Sequence, residues 1–482
     1  MTVHPFPPLQ RAWLTASALA WAAALGACAV GPDYHRPEMA LTPAFHTPTP
    51  APAAGAKATT LQTWWTGFGD PELVKVVERA AAQNLDLAQA RARLTQSRAM
   101  AKAAGAALRP MGNLTGSVAD GRTSLLGPLG EIGSHLPGYP RDYDDYTLNA
   151  GASWEIDLFG GLRRERQAAV AEAKVTRAEA DAVQVAIEAD AADAYLQVRA
   201  YQARLSVARR QETVRQDLVA LLNRRNSEGV SPERELHEAQ AELEAVRAAV
   251  PPLNAGLDAQ LNRLDILMGV QPGTYRSELI VDAPLPTPPT LLTAMIPADL
   301  LRRRPDVIAA EQRLIAANAR IGAAVSDYYP KVSLSALFGV DSLNSNRIFS
   351  SDALQHQVAA GFRWRLFDFG RVDAEVAAAK GKDAEALAAY RASVLKAAEE
   401  VENAFSDLTQ DEARAAALGR QIAQLTTARR QAQDAYEGGV ISLIEVRDAD
   451  RDILNASDQL AQAQAGAARA AVASFRALGG GV

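Results

Sequence analysis

Cys28 is the single cysteine in a chain of 482 residues, and its surroundings prescribe a reaction. Arg11 precedes an apolar run, residues 12–25, that is too short to span a membrane as a mature helix and that ends in Leu25-Gly26-Ala27-Cys28. Small residues before a cysteine let a lipoprotein signal peptidase read extended backbone, and the thiol is the nucleophile that takes a diacylglycerol. The pattern predicts a signal peptide over 1–27 and a mature chain that starts at Cys28, carrying an S-diacylglycerol and an N-acyl group and no other cofactor. The bland alternative, an incidental cysteine behind an ordinary signal sequence, is disfavoured by the spacing and by the absence of any second cysteine. Residue 29 is alanine and not aspartate, which favours an outer-membrane destination, and more than one acyl chain is needed for firm anchoring.

Elsewhere the sequence offers little for chemistry. Six histidines are scattered, no His/Cys/Asp set has metal-ligand spacing, and no glycine loop is built to hold a phosphate, so neither an enzyme nor a metal site is expected. The net charge is −6, with basic and acidic residues interspersed, so no nucleic-acid footprint stands out.

The rest of the chain is organised by a junction that occurs twice. Leu148, Ala150, Ala152, Trp154 and Ile156 alternate as a strand does, break at Asp157-Leu158-Phe159-Gly160, and lead into a very long Ala-rich helical run. Val358, Ala360, Phe362, Trp364 and Leu366 do the same before Phe367-Asp368-Phe369-Gly370. Each strand is preceded by another alternating stretch, giving hairpins at about 111–158 and 331–367, the first with a long Gly/Pro/Tyr/Asp-rich loop over 127–145. Asp86 to Pro110 matches Asp306 to Pro330 at an offset of about 220, and Trp154 and Val230 match Trp364 and Val440 at about 210, the difference being the longer loop.

Long helices follow both junctions. Residues 161–225 and 370–437 run roughly 65 residues without proline, about 100 Å at 1.5 Å per residue. They turn back through Gly229-Val230-Ser231 and Gly438-Gly439-Val440-Ile441-Ser442 into return helices, making helical hairpins at about 161–268 and 370–478. Around these lie an N-terminal tether, 28–71, a first repeat, 72–276, a proline-rich connector, 277–296, and a second repeat, 297–482. Asp70 with Pro71, and Asn84 with Asp86, read as helix starts.

The strands have one apolar and one polar face, which suits a soluble sandwich or a membrane barrel equally. The lipoprotein signal and the lack of a later apolar stretch of transmembrane length tilt the choice to a barrel, which satisfies every backbone group in lipid. Four strands are fewer than the roughly eight a closed barrel needs, so closure requires several chains.

Over nearly its whole mature length the chain resembles the TolC-like outer-membrane efflux proteins, in the lipoprotein branch that serves resistance-nodulation-division (RND) pumps, the NodT-type, OprM-like group. The resemblance rests on Cys28-Ala29-Val30-Gly31-Pro32-Asp33-Tyr34 with Arg36-Pro37, on Trp64-Trp65 and Phe68-Gly69-Asp70-Pro71, on Trp154 to Gly160, and on Ile296 to Val307 with Ala310-Glu311. It implies an α+β membrane protein: a homotrimer forming one twelve-stranded outer-membrane β-barrel with four strands per chain, continued by a long periplasmic α-helical barrel with an equatorial domain. The implied function is a passive exit duct for small molecules. Its partners would be a periplasmic membrane-fusion adaptor, an inner-membrane RND pump and outer-membrane lipid.

The resemblance also gives roles to residues. Gly229, Val230, Ser231, Gly438, Gly439, Val440, Ile441 and Ser442 would form the periplasmic tips that dock the adaptor. Glu445 and Asp448 occupy the positions of two acidic residues one helical turn apart that ring the periplasmic gate. In a trimer they would stack two rings of carboxylates, favouring cations. This chain has Glu445 where the family pattern has aspartate, and Arg447 between the acids could neutralise a neighbour. A solvated helix face is the plain alternative for these acids. For the whole chain the alternatives are a protein-secretion channel and a non-pore coiled-coil scaffold lipoprotein.

Overall fold

The computed structural model describes residues 29–39, 42, 44–47, 60–289 and 301–481. Cys28, the predicted signal peptide, much of the expected tether, the end of the expected connector and the Ile296 to Leu300 part of the Ile296 to Val307 stretch lie outside these residues. A 3-10 helix, Leu61–Phe68, is followed by α1 (Pro71–Gln83), α2 (Leu85–Ala106), β1 (Met111–Arg122), α3 (Pro128–Ser134), β2 (Asp142–Ile156), α4 (Gly161–Ser227), α5 (Glu233–Leu267) and α6 (Arg276–Leu279). The second half runs α7 (Pro305–Ser326), β3 (Lys331–Ser342), β4 (Leu354–Arg363), α8 (Arg371–Glu437) and α9 (Leu443–Ala477). The long helices α4 and α8 are 67 residues each and the return helices α5 and α9 are 35 each, so the duplication extends to element length.

Local chemistry sets the helix starts. Asp70 accepts from the backbone N–H of Glu72 and Leu73, with Pro71 at the first helical position, and Asn84 does the same for Asp86 and Leu87 at the head of α2. Asp157 accepts from the N–H of Leu162 and Arg163 at the head of α4, and Asp368 from Gly370 and Val372 at the head of α8. A carboxylate at each site meets the unpaired donors and the positive end of its helix.

The chain divides into two compact units, one holding residues up to 37 with 95–174 and 311–388, the other holding 38–94, 175–310 and 389–482. The first contains a single antiparallel sheet in the order β1-β2-β3-β4. Met111 pairs with Ser153, and Lys331 with Arg363, so the two hairpins share one register at offsets of 220 and 210. Trp154 donates its indole N–H to the carbonyl of Leu108 at 3.0 Å, and Trp364 does the same to Tyr328 at 3.0 Å, which fixes the same alignment through side chains.

By this register Leu114, Val118, Leu148, Leu334, Phe338, Val358 and Phe362 share one face, and all are exposed. Asn113, Ser117, Thr147, Asn149, Ser333, Gln355 and Arg363 share the other. No helix among the described residues is long and apolar enough to cross a membrane.

Two departures from the sequence reading concern strand ends. The alternation through Trp364 and Leu366 is present, but β4 stops at Arg363. The matching β2 runs on to Ile156 because Trp154 pairs with Leu334 and Ile156 with Val332, whereas β1 pairs it only as far as Ser153. β4 is an edge strand and has no second neighbour to carry it further. The first hairpin loop lies at 123–141, four residues earlier than the 127–145 expectation and no shorter, and α3 occupies its middle.

The described part of the N-terminal stretch is bonded to the first unit. Val30 N–H donates to Phe159, and Arg164 reaches the carbonyls of Val30 and Gly31 and the carboxylate of Asp33. Arg36 holds Glu311 through two bonds of 2.6 and 2.7 Å, and the Tyr34 hydroxyl donates to the same carboxylate at 3.1 Å. Nearby, Ala168 and Ala171 of α4 pack on Ala316 and Ala319 of α7, small side chains that let the helix axes approach closely.

In the second unit Trp64 is buried and stacks on Phe475 at 5.3 Å, which anchors the 3-10 helix on α9. Tyr195 donates to Asp70 at 2.6 Å, while the buried Arg199 donates to Tyr195, Gln202 and the carbonyl of Val281, tying α4 to α1 and to the chain after α6. Arg304 is buried and bridges Asp306, Glu400 and the Ala477 carbonyl. Burial pushes the Asp306 carboxyl up, but the Arg304 guanidinium outweighs it and holds it below the usual range. The arginine-proline motif is therefore a structural clamp.

Candidate functional site

Both helix-to-helix turns are built alike. Helix α4 ends with Gly229 N–H on the Asn226 carbonyl at 2.9 Å and Val230 N–H on Arg225 at 2.8 Å. Helix α8 ends with Gly439 N–H on Tyr436 and Val440 N–H on Ala435, both at 2.9 Å. Gly229 and Gly439 take φ of 74° and 73°, the left-handed helix stop that a side chain resists. Val230 and Val440 then project, 61% and 79% exposed.

The remaining turn residues divide by role. Ser231 is buried, with its hydroxyl on Glu235 at 2.7 Å and its carbonyl accepting from Asn226, so it braces the turn and offers no surface. Gly438 and Ser442 are exposed and Ile441 is half-buried. Leu443, the next residue, packs on Leu222, Leu236 and Ala239 of the other helical hairpin. Arg225 also donates to the Tyr436 hydroxyl at 3.0 Å, so the last turns of α4 and α8 are joined directly.

Glu445 and Asp448 lie in the first turns of α9, Glu445 exposed and Asp448 half-buried. Arg447 does not neutralise either. It is nearly buried and donates to Glu242 of α5 at 2.7 Å, and Arg215 of α4 approaches the same carboxylate at 2.8 Å. Asp448 is met instead by Arg451, 3.1 Å away on its own helix. Further along, Arg429 of α8 donates to Asp450 of α9 at 3.0 Å and Arg204 of α4 to Asp458 of α9 at 2.7 Å.

The turns lie where the sequence places them and both acids fall in the first turns of α9, while Glu242, Arg215, Arg225 and Tyr436 had no part in the sequence reading. These partners are 205 to 211 positions apart or on separate helices, and a single sequence carries no signal that joins them. The described residues hold no group of three or more His, Cys, Asp or Glu that could bind a metal.

The family model described as outer membrane efflux protein matches residues 76–270 and 296–480. The chain is 31% identical over 451 residues to the pyoverdine export outer membrane protein OpmQ of Pseudomonas putida, covering 91% of this chain and 95% of that one. It is 27% identical over 444 residues to nodulation protein T of Rhizobium leguminosarum bv. trifolii, with 91% of each chain covered. Among solved structures, the outer-membrane channel OprN superposes with a TM-score of 0.82 at 33% identity, over 94% of this chain and 99% of that one.

Proposed function

The chain belongs to the outer membrane efflux protein family and is the outer-membrane channel of a tripartite efflux system; we propose that it works as a passive duct whose opening is driven by its partners. The observation that supports this reading is the four-stranded sheet, with one exposed apolar face, one polar face and an open edge at each side. Three such sheets joined edge to edge give the smallest closure that leaves a wide polar lumen, with Phe338, Val358 and Phe362 toward lipid and Asn149, Thr147 and Gln355 toward water.

The two turns are the docking points for a periplasmic adaptor, with Val230 and Val440 as the exposed contacts and Gly229, Gly438, Gly439, Ile441 and Ser442 shaping the surface. Ser231 supports them from beneath. Glu445 and Asp448 form the constriction, and the bonds from Arg447 to Glu242 and from Arg225 to Tyr436 hold the resting arrangement. Engagement of the adaptor and an inner-membrane RND pump separates these pairs; no catalytic group takes part. Cys28 carries the acyl groups that anchor the N-terminus in the outer membrane.

Single-channel recording of the purified, acylated protein in planar bilayers tests the duct. A small, cation-preferring conductance is expected. Folded, membrane-inserted protein that passes no current would favour a scaffold without a pore.

A further inference from the structure

The two strand-to-helix junctions are copies of one another, yet only one of them has a seat. Phe159 of the first stacks on Tyr329, at the end of α7, with 4.5 Å between ring centroids. The same junction and helix end enclose a cavity of about 230 Å³ lined by Leu158, Phe159, Ser326, Asp327 and Pro330. The second junction reaches the end of α7 through Trp364 and Arg365, but its phenylalanines make no ring stack among the described residues. Phe369 is fully exposed and Phe367 nearly so. Phe369 is also the sole non-glycine among the described residues with a positive φ, +53°, a conformation that is unfavourable for a bulky side chain.

A vacant counterpart lies at the other edge of the sheet. The end of α2, from Ala103 to Met111, lines an open cavity of about 770 Å³ with Ser153, Trp154 and Glu155 of β2 and Ser333 of β3, and no aromatic ring of the second junction fills it within the chain. The register of the repeats, 210 for junctions and 220 for helix ends, makes Phe369 the counterpart of Phe159 and Arg109 the counterpart of Tyr329. Phe369 follows β4 and Arg109 precedes β1, and these strands are the two outer edges of the sheet. The strand end tells the same: β4 stops at Arg363, the counterpart of Ser153, where β2 goes on only because β3 pairs with it.

We infer that Phe367 and Phe369 of one copy fill the cavity at Arg109 to Met111 of the next copy, with the Phe369 ring against the Arg109 guanidinium. Residues 364–366 then extend β4 by pairing with the next copy's β1, Trp364 opposite Leu114, as Trp154 stands opposite Leu334 within the chain. The alanine methyls give the rings an apolar floor, and a guanidinium over an aromatic face is a favourable contact in a desolvated site. The occupant is a second copy because the same contact already exists once inside each chain and the sheet edges demand its repetition. This inference rests on the closed ring proposed above.

The test uses full-length protein in membranes, with Phe369→Cys and Arg109→Cys made singly and together and treated with a short bismaleimide. Covalent dimers and trimers are expected on denaturing gels only from the double variant. Trimers by native mass with no linked species would overturn the docking and leave the ring intact; absence of trimers would overturn the ring and the inference with it. Phe369→Gly gives a second reading. Glycine relieves the left-handed conformation, so an undocked Phe369 predicts a trimer that is unchanged or more heat-resistant, whereas docking predicts dissociation several degrees lower.

Discussion

Arg447 on α9 donates to Glu242 on α5 at 2.7 Å, so the cation that stands between Glu445 and Asp448 in sequence is engaged on another helix. Asp448 keeps Arg451 beside it, while Glu445 is exposed. Of the two acids, Glu445 should dominate the constriction. Glu445→Ala should raise single-channel conductance and lower cation preference by on the order of a few-fold, with a smaller change for Asp448→Ala. Planar-bilayer recording of both single variants checks the ranking, and equal currents from wild type and both variants would remove these acids from the gate.

Glu311 is the common acceptor for Tyr34 and Arg36. Its own side chain is largely buried but that of Arg36 is half-exposed, so solvent screens the pair, and Glu311→Ala should cost about 1–2 kcal/mol. The loss should be local. Amide exchange over residues 29–39 should speed up by about tenfold while α7 keeps its protection. Unchanged exchange there would mean that the Arg164 contacts alone hold the segment.

Glu188 gives a pH dependence. It is buried on α4, bonded to Gln184 at 3.0 Å, with its second oxygen lacking a hydrogen-bond partner among the described residues. Burial pushes its carboxyl up from 4.5 to about 7. A folded value above the unfolded one means that stability is fully present below about pH 4.5, falls as pH rises toward 7, and levels off above that, by about 3 kcal/mol in all. Glu188→Gln should flatten this part of the curve, which denaturant melts between pH 4.5 and 8 would record. An unaltered slope in the variant would assign the dependence to other groups.

Gly339 faces Asn149 across the β2–β3 seam, and Gln355 reaches over from β4 to donate to Asn149 at 3.0 Å. A Cβ at 339 would stand 2.2 Å from the Asn149 side-chain oxygen and 2.4 Å from the Leu148 carbonyl. Since backbone cannot step aside as a flexible side chain can, Gly339→Val should cost about 2 kcal/mol or more. The readout is the fraction of protein reaching a heat-resistant trimer; wild-type yield would show that the strands can part there at little cost.

Much of this molecule could be read from sequence because its rules are local. Asp70 with Pro71 and Asn84 with Asp86 announce helix starts within four residues, and Gly229 and Gly439 mark helix stops that need a left-handed residue. The Trp154 and Trp364 junctions gave away the duplication. What could not be read depends on partners remote in sequence: the end of β4, set by the strand it lacks, and the pairing of Arg447 with Glu242 in preference to the acids beside it. The helix Pro128–Ser134 escaped because Gly130 and Gly133 argue against any helix, and it is only seven residues long.

The order in which the sheet pairs has a kinetic side. Within each hairpin the strands are linked by a local connection, 123–141 or 343–353, and can zip as soon as both have been exported. The central seam is different, because Trp154 must find Leu334 across the whole of the first helical hairpin. Closing so large a loop is the slow step, and until it happens the inner edges of β2 and β3 are unpaired templates open to any passing strand. The interval between exporting the first hairpin and completing the second is thus when the newly exported chain most needs a chaperone.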